Sequence, residues 1–121
     1  MIMDICKKFK TSLNDLEYAL KFKDKALEDS FYFAGIAKSF EVCFEYSWKY
    51  FRYLIINDGL EAKSPREAIK VAASLGHISN VETWLGYLED RNLAVHDYVG
   101  MSRIDYLKTI VNFYHDAKGL V

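Results

Sequence analysis

Proline occurs once in this 121-residue chain and glycine six times. So few turn-formers exclude collagen-like and low-complexity classes. They also leave an all-β protein without the turn residue it needs roughly every 8 to 12 positions. Two cysteines, Cys6 and Cys43, cannot build a disulfide framework. No apolar stretch approaches the roughly 18 residues of a membrane span. The first residues, Met-Ile-Met-Asp-Ile-Cys-Lys-Lys, contain no apolar run of the kind a signal peptide needs. Charge of one sign is missing too: 16 basic residues face 17 acidic ones, a net −1. A global basic field for duplex DNA is therefore absent, and any nucleic-acid contact must be local. These absences predict a cytoplasmic protein of one domain, 1–121, with no membrane and no duplex DNA among its partners.

Chemical signatures are equally sparse. There is no Gly-x-Gly-x-x-Gly, no phosphate loop ending in Gly-Lys-Ser/Thr, and no His-Glu-x-x-His. The residues three before His77, His96 and His115 are Ser74, Leu93 and Asn112, so the Glu-x-x-His steps of a di-iron bundle are absent. No cofactor and no metal site is expected. Cys6 and Cys43 fall on apolar stripes and read as buried core thiols.

What the chain does have is apolar residues, 51% of it, with aromatics at 16%, arranged at helical period. Cys6, Phe9, Leu13, Leu16 and Leu20 make one seam. From about Ser30 to Ile56 there are two stripes. Phe33, Ala37, Phe40, Phe44, Trp48, Phe51 and Ile55 form the first; Cys43, Tyr46, Tyr50, Tyr53 and Leu54 form the second. Two stripes imply burial on more than one side, and this excess predicts a partner, most simply a second copy. Asn57-Asp58-Gly59 supplies a stop. Ser64-Pro65-Arg66-Glu67 is a capping box with proline at the first helical position, opening a short helix that ends at Gly76. Ser79-Asn80-Val81-Glu82 repeats the box before a helix that ends by Gly100. Ser102 caps the last helix, which runs to about Gly119. Trp48 and Trp84 read as core or interface anchors. With no two-residue alternation, the fold class is all-α: an antiparallel up-and-down four-helix bundle with an additional short helix.

One segment carries usable chemistry: Asp90-Arg91-Asn92-Leu93-Ala94-Val95-His96-Asp97-Tyr98. On a helix Arg91 and Tyr98 lie within about 20° of each other and Asn92 and His96 within about 40°. Arg91 and His96 stand about 140° apart, a gap a long arginine side chain can bridge. Arginine offers a planar fork of donors for phosphate. Histidine titrates near neutrality and can take a proton from a 2′-hydroxyl or give one to a leaving oxygen. Asparagine can orient either, and tyrosine can stack or accept a transferred group. The plainer reading makes Asp90, Arg91 and Asp97 solvated charges and His96 a cap or core residue. On the long second helix Glu45 and Lys49 form a surface or interface pair, or else turn toward Arg91 and His96. Glu41 and Glu45, like charges one turn apart, predict a cation between them from another helix or chain.

Phe40-Glu41-x-x-Phe44-Glu45-x-x-Trp48-Lys49, then Ser64-Pro65-Arg66-Glu67, then Trp84, then Asp90-Arg91-Asn92-x-x-x-His96-x-Tyr98 together resemble the HEPN proteins known as nucleotidyltransferase substrate-binding proteins. The resemblance covers roughly residues 36 to 98. It implies a helical bundle that forms a homodimer and pairs with a separately encoded minimal nucleotidyltransferase. Several relatives are toxins, metal-independent endoribonucleases silenced by that partner. Carried over, Arg91 and His96 are the catalytic pair acting on RNA, Asn92 assists, and Tyr98 accepts AMP. Glu45, Lys49 and Asp90 are possible supporting residues. The family's older name implies the alternative, a noncatalytic subunit that presents substrate to the transferase.

Overall fold

The computed structural model describes residues 2–96 and 102–121, except for the side chains of residues 2–3 and 94–96. Among these residues there is helix and no strand. Helices α1 (Ile2–Leu20), α3 (Ser30–Asn57), α5 (Val81–His96) and α6 (Arg103–Ala117) are the long members. A single turn, α2 (Lys23–Ala26), precedes α3, and the short α4 (Pro65–Ser74) precedes α5. A 3-10 turn, Lys118–Leu120, closes the chain. The antiparallel bundle expected from the stripes is the observed one. The extra turn α2 has no apolar period of its own, being four residues long, and went unforeseen.

The helix ends follow from capping chemistry. Asp29 Oδ1 accepts from Phe31 N–H at 2.9 Å, Ser64 Oγ from Glu67 N–H at 3.1 Å and Ser102 Oγ from Asp105 N–H at 3.1 Å. Asn80, not Ser79, caps α5: its Oδ1 accepts from Thr83 N–H at 3.1 Å. The sequence offers two adjacent capping residues, and the chain uses the second. Gly59 and Gly76, with φ of 83° and 84°, are left-handed positions that close α3 and α4. Those two ends are joined where His77 Nε2 meets Asp58 Oδ2 at 2.9 Å.

Helix α3 occupies the middle. Its first stripe packs into an edge-to-face aromatic cluster with α5 and α6: Phe51 against Trp84 at 5.0 Å, Phe40 against Phe113 at 5.2 Å, and Trp84 and Tyr87 each against Phe113 at 5.6 Å. Each such pair adds about 0.5–1.5 kcal/mol beyond the area it buries. The second stripe meets α1 and the chain's end. Tyr50 packs on Phe9 at 5.5 Å and its hydroxyl donates to Leu120 O at 3.4 Å, while Cys43 is fully buried. The second stripe is therefore covered in part from within the chain, with Tyr46, Tyr53 and Leu54 left half-buried. Large apolar side chains remain exposed elsewhere, among them Phe31, Tyr18, Ile56 and Ile104. Cys6 is only half-buried, short of the core position its stripe suggested. No helix among the described residues is long and apolar enough to cross a membrane.

Two expectations follow. Phe113 is fully buried at the centre of the ring cluster, so Phe113→Ala should cost about 3–5 kcal/mol, read from urea unfolding. Second, the Tyr114 hydroxyl donates to Glu17, and this bond, reinforced by burial, raises its pKa from 10.0 to about 12. The folded state keeps a proton that the unfolded state releases. The associated stability is present below pH 10 and disappears as pH rises toward 12. In Tyr114→Phe, stability should fall less steeply across that window than in wild type.

Candidate functional site

The polar line of α3 and the C-terminal half of α5 come together at Glu45. Its Oε2 accepts from Arg91 Nη2 at 3.3 Å and from the Trp48 indole Nε1–H at 3.0 Å. Its Oε1 stands 3.6 Å from Lys49 Nζ. Beneath the arginine, the Phe44 ring centroid lies 5.9 Å from the guanidinium carbon, within cation–π range. One carboxylate thus ties together a cation on α5, a cation on α3 and an indole.

The local sequence explains the arrangement. Phe44 and Trp48 lie on the first stripe of α3, so that stripe's edge faces α5. Glu45 sits beside it, one residue out of the core. Trp48 is half-buried, so its ring packs while its N–H reaches the carboxylate three residues back. The Arg91 side chain is 24% exposed and that of Glu45 35%. At that depth the guanidinium is partly desolvated and its plane is fixed by the ring and the carboxylate. Its Nε is buried without a hydrogen-bond partner among the described residues. A buried orphan donor costs about 1–3 kcal/mol, and the site holds Arg91 there nonetheless.

The residues expected from sequence are distributed as follows. Arg91, Glu45 and Lys49 come together, with Arg91 reaching Glu45 from another helix. Asn92 is exposed on the next position of α5. Asp90 is engaged on the other side, where Thr109 Oγ1 of α6 donates to its Oδ2 at 2.7 Å. His96 is the last residue of α5, about 7.5 Å along the axis from Arg91, and its side chain lies outside the described residues, as does all of Tyr98. Trp48 is the member that sequence reasoning did not assign. Its only signal was Glu45 three residues before it, which any surface helix can show.

Chemically, the cluster offers two cations and a partly free guanidinium fork that an anion could engage in place of Glu45. A guanidinium has five N–H donors, and Glu45 engages Nη2. A phosphate approaching Arg91 would meet a preoriented fork, with Lys49 as a second positive charge and the Glu45 carboxylate as its competitor. If Glu45 holds the fork in place, Glu45→Ala leaves a half-buried guanidinium unpaired. The expected cost is about 1 kcal/mol in urea unfolding, small because both partners remain wetted. The Trp48 indole N–H resonance should move at the same time.

Comparison with known proteins gives the geometry a context. Among curated proteins none matches this chain in sequence. In structure the chain is similar to a HEPN toxin of Shewanella oneidensis, solved in tri-AMPylated form in complex with MNT antitoxin in a rebuilt and re-refined structure. The TM-score is 0.83 over 98% of this chain and 92% of the toxin chain, at 14% identity. That likeness establishes a shared fold. The family model described as nucleotidyltransferase substrate binding protein like matches residues 5–120, nearly the whole bundle and every motif around Glu45 and Arg91, and so the chain belongs to that family.

Proposed function

We propose that this chain is the HEPN member of a pair with a minimal nucleotidyltransferase, and that it is a metal-independent endoribonuclease working in the cytoplasm as a homodimer. The observation that carries the reading is the Arg91 guanidinium, held half-buried between Phe44 and Glu45 within the Arg91-x4-His96-x-Tyr98 element. Family membership and the fold shared with a HEPN toxin that binds an MNT antitoxin support the partner.

The reaction needs few groups. His96 takes the proton of a ribose 2′-hydroxyl, and the oxygen attacks the adjacent phosphorus. Arg91 bears the negative charge that builds on the phosphorane. The 5′-oxygen leaves with the proton that the His96 imidazolium returns, and a 2′,3′-cyclic phosphate remains. Asn92 orients the phosphate or the imidazole. Silencing follows if the partner transfers AMP from ATP to the Tyr98 oxygen, with release of pyrophosphate. The new phosphodiester brings bulk and negative charge beside Arg91, which occludes the site.

The family's description favours a second reading, in which the chain presents substrate to the transferase and cleaves nothing. Cleavage assays on wild-type protein, shown by intact mass to be unmodified, separate the two. The toxin reading expects RNA cleavage that survives EDTA and falls by at least about 100-fold in Arg91→Ala and in His96→Ala. It also expects AMP on Tyr98 after co-expression with the transferase. Intact RNA together with a stable transferase complex and altered transferase activity would overturn the toxin reading in favour of the accessory subunit.

A further inference from the structure

On the flank of α3 turned away from α5, α1 and α3 leave an open groove that the Glu45–Arg91 site does not use. Two adjoining hollows of about 450 and 690 Å³ share Asp15 as a common wall. Because α1 and α3 are antiparallel, the hollows follow one another along the pair. The first lies between Lys7, Lys8 and Thr11 of α1 and Val42 and Tyr46 of α3. The second lies between Tyr18 and Phe22 on one side and Phe31, Tyr32 and Gly35 on the other. From Asp4 to Phe22 the groove spans about 27 Å.

The two ends differ in chemistry. At the second, four rings stand together: Tyr18 against Phe22 at 5.4 Å, Phe22 stacked on Tyr32 at 5.6 Å, and Phe31 against Tyr32 at 5.6 Å. Phe31 is 79% exposed and Tyr18 62%, unusual for rings with no burial to gain. Lysines rest on these rings: Lys21 Nζ is 5.7 Å from the Tyr18 centroid, and Lys25 Nζ is 5.2 Å from that of Tyr32. At the first end Lys7 and Lys8 have no ion-pair partner among the described residues. Residues 4–25 hold six lysines against four carboxylates in a chain whose net charge is −1. Of those carboxylates, Glu17 is engaged by the Tyr114 hydroxyl. Asp4 and Asp15 both line the groove beside Lys7 and Lys8, and Asp15, shared by the two hollows, can accept from the amino group of a base. The floor at Gly35 is open, since a Cβ there would meet nothing within 4 Å.

Exposed rings interleaved with lysines along an extended groove are what a single-stranded nucleic acid requires: π-faces for bases and cations for phosphates. A helical protein partner would call for an aliphatic stripe, and a membrane surface for a convex apolar face. We infer that the α1–α3 groove binds single-stranded RNA, with bases on Tyr18 and Phe31 and phosphates on Lys7 and Lys8. That the strand is RNA and not DNA rests on the function proposed above; the groove itself does not.

Fluorescence anisotropy with a labelled, unstructured 12-nucleotide oligoadenylate tests the inference, with the matching deoxy-oligonucleotide in parallel. Tyr18→Ala with Phe31→Ala should weaken binding by about tenfold or more. Gly35→Glu, which adds a carboxylate to the open floor without a clash, should weaken it as well. Lys7→Glu with Lys8→Glu should flatten the salt dependence. Lys70→Glu, on the exposed face of α4 and outside the groove, should bind as wild type. Deoxy-oligonucleotide binding equal to that of RNA would overturn the choice of RNA. Wild-type affinity in all three groove variants would overturn the inference. So would a change of sedimentation from dimer to monomer in the ring variant with RNA affinity unchanged, since the groove would then be a contact between copies.

Discussion

A 28-residue helix that is apolar on two sides must be surrounded, and α3 imposes that requirement on everything else in the chain. Helix α1 and the closing residues cover one side. The Trp84, Tyr87 and Phe113 cluster of α5 and α6 covers another. What remains of α3 is a narrow polar line. Glu45 lies on that line next to the aromatic edge, where its carboxylate reaches Arg91 on α5 while staying partly exposed. The position of Arg91 follows from that packing: α5 is fixed by Trp84 and Tyr87, and its next turns carry the guanidinium over Phe44 to the carboxylate.

The same constraint separates two chemistries. The face of α3 toward α5 gathers ions around one carboxylate and a half-buried fork. The flank along α1 gathers exposed rings and lysines that nothing in the bundle uses. A fold built only for stability would cover Phe31 or replace it with a polar residue. It would also give the Arg91 Nε, which has no hydrogen-bond partner among the described residues, an acceptor. Both departures are local inconsistencies of the kind that mark working sites in otherwise consistent folds.

Much of the fold was legible because helical period and capping are local. The seam from Phe9 to Leu20, the stripes of α3, and the caps at Ser64 and Ser102 could be read directly. Asn80 displaced Ser79 because two adjacent side chains can cap and sequence alone does not choose between them. The aromatic excess of α3 pointed to a partner without naming which face it takes, because periodicity shows that a face is buried and not which element buries it. At the site, the polar line of α3 singled out Glu45, and the structure adds that Arg91 reaches it from α5. Trp48 stayed hidden, since a tryptophan on an apolar stripe needs no further explanation than packing.

The central claim is that Arg91 grips a phosphodiester and exchanges its Glu45 contact to do so. The Trp48 indole N–H, bonded to the same Glu45 oxygen, is a built-in reporter. Its 1H–15N resonance should be followed while wild-type protein is saturated with an RNA made non-cleavable by 2′-methoxy groups. The account predicts a clear shift of the Trp48 signal in wild type and none in Arg91→Ala at equal occupancy. An unmoved Trp48 resonance at saturation, or the same shift in both proteins, would contradict it.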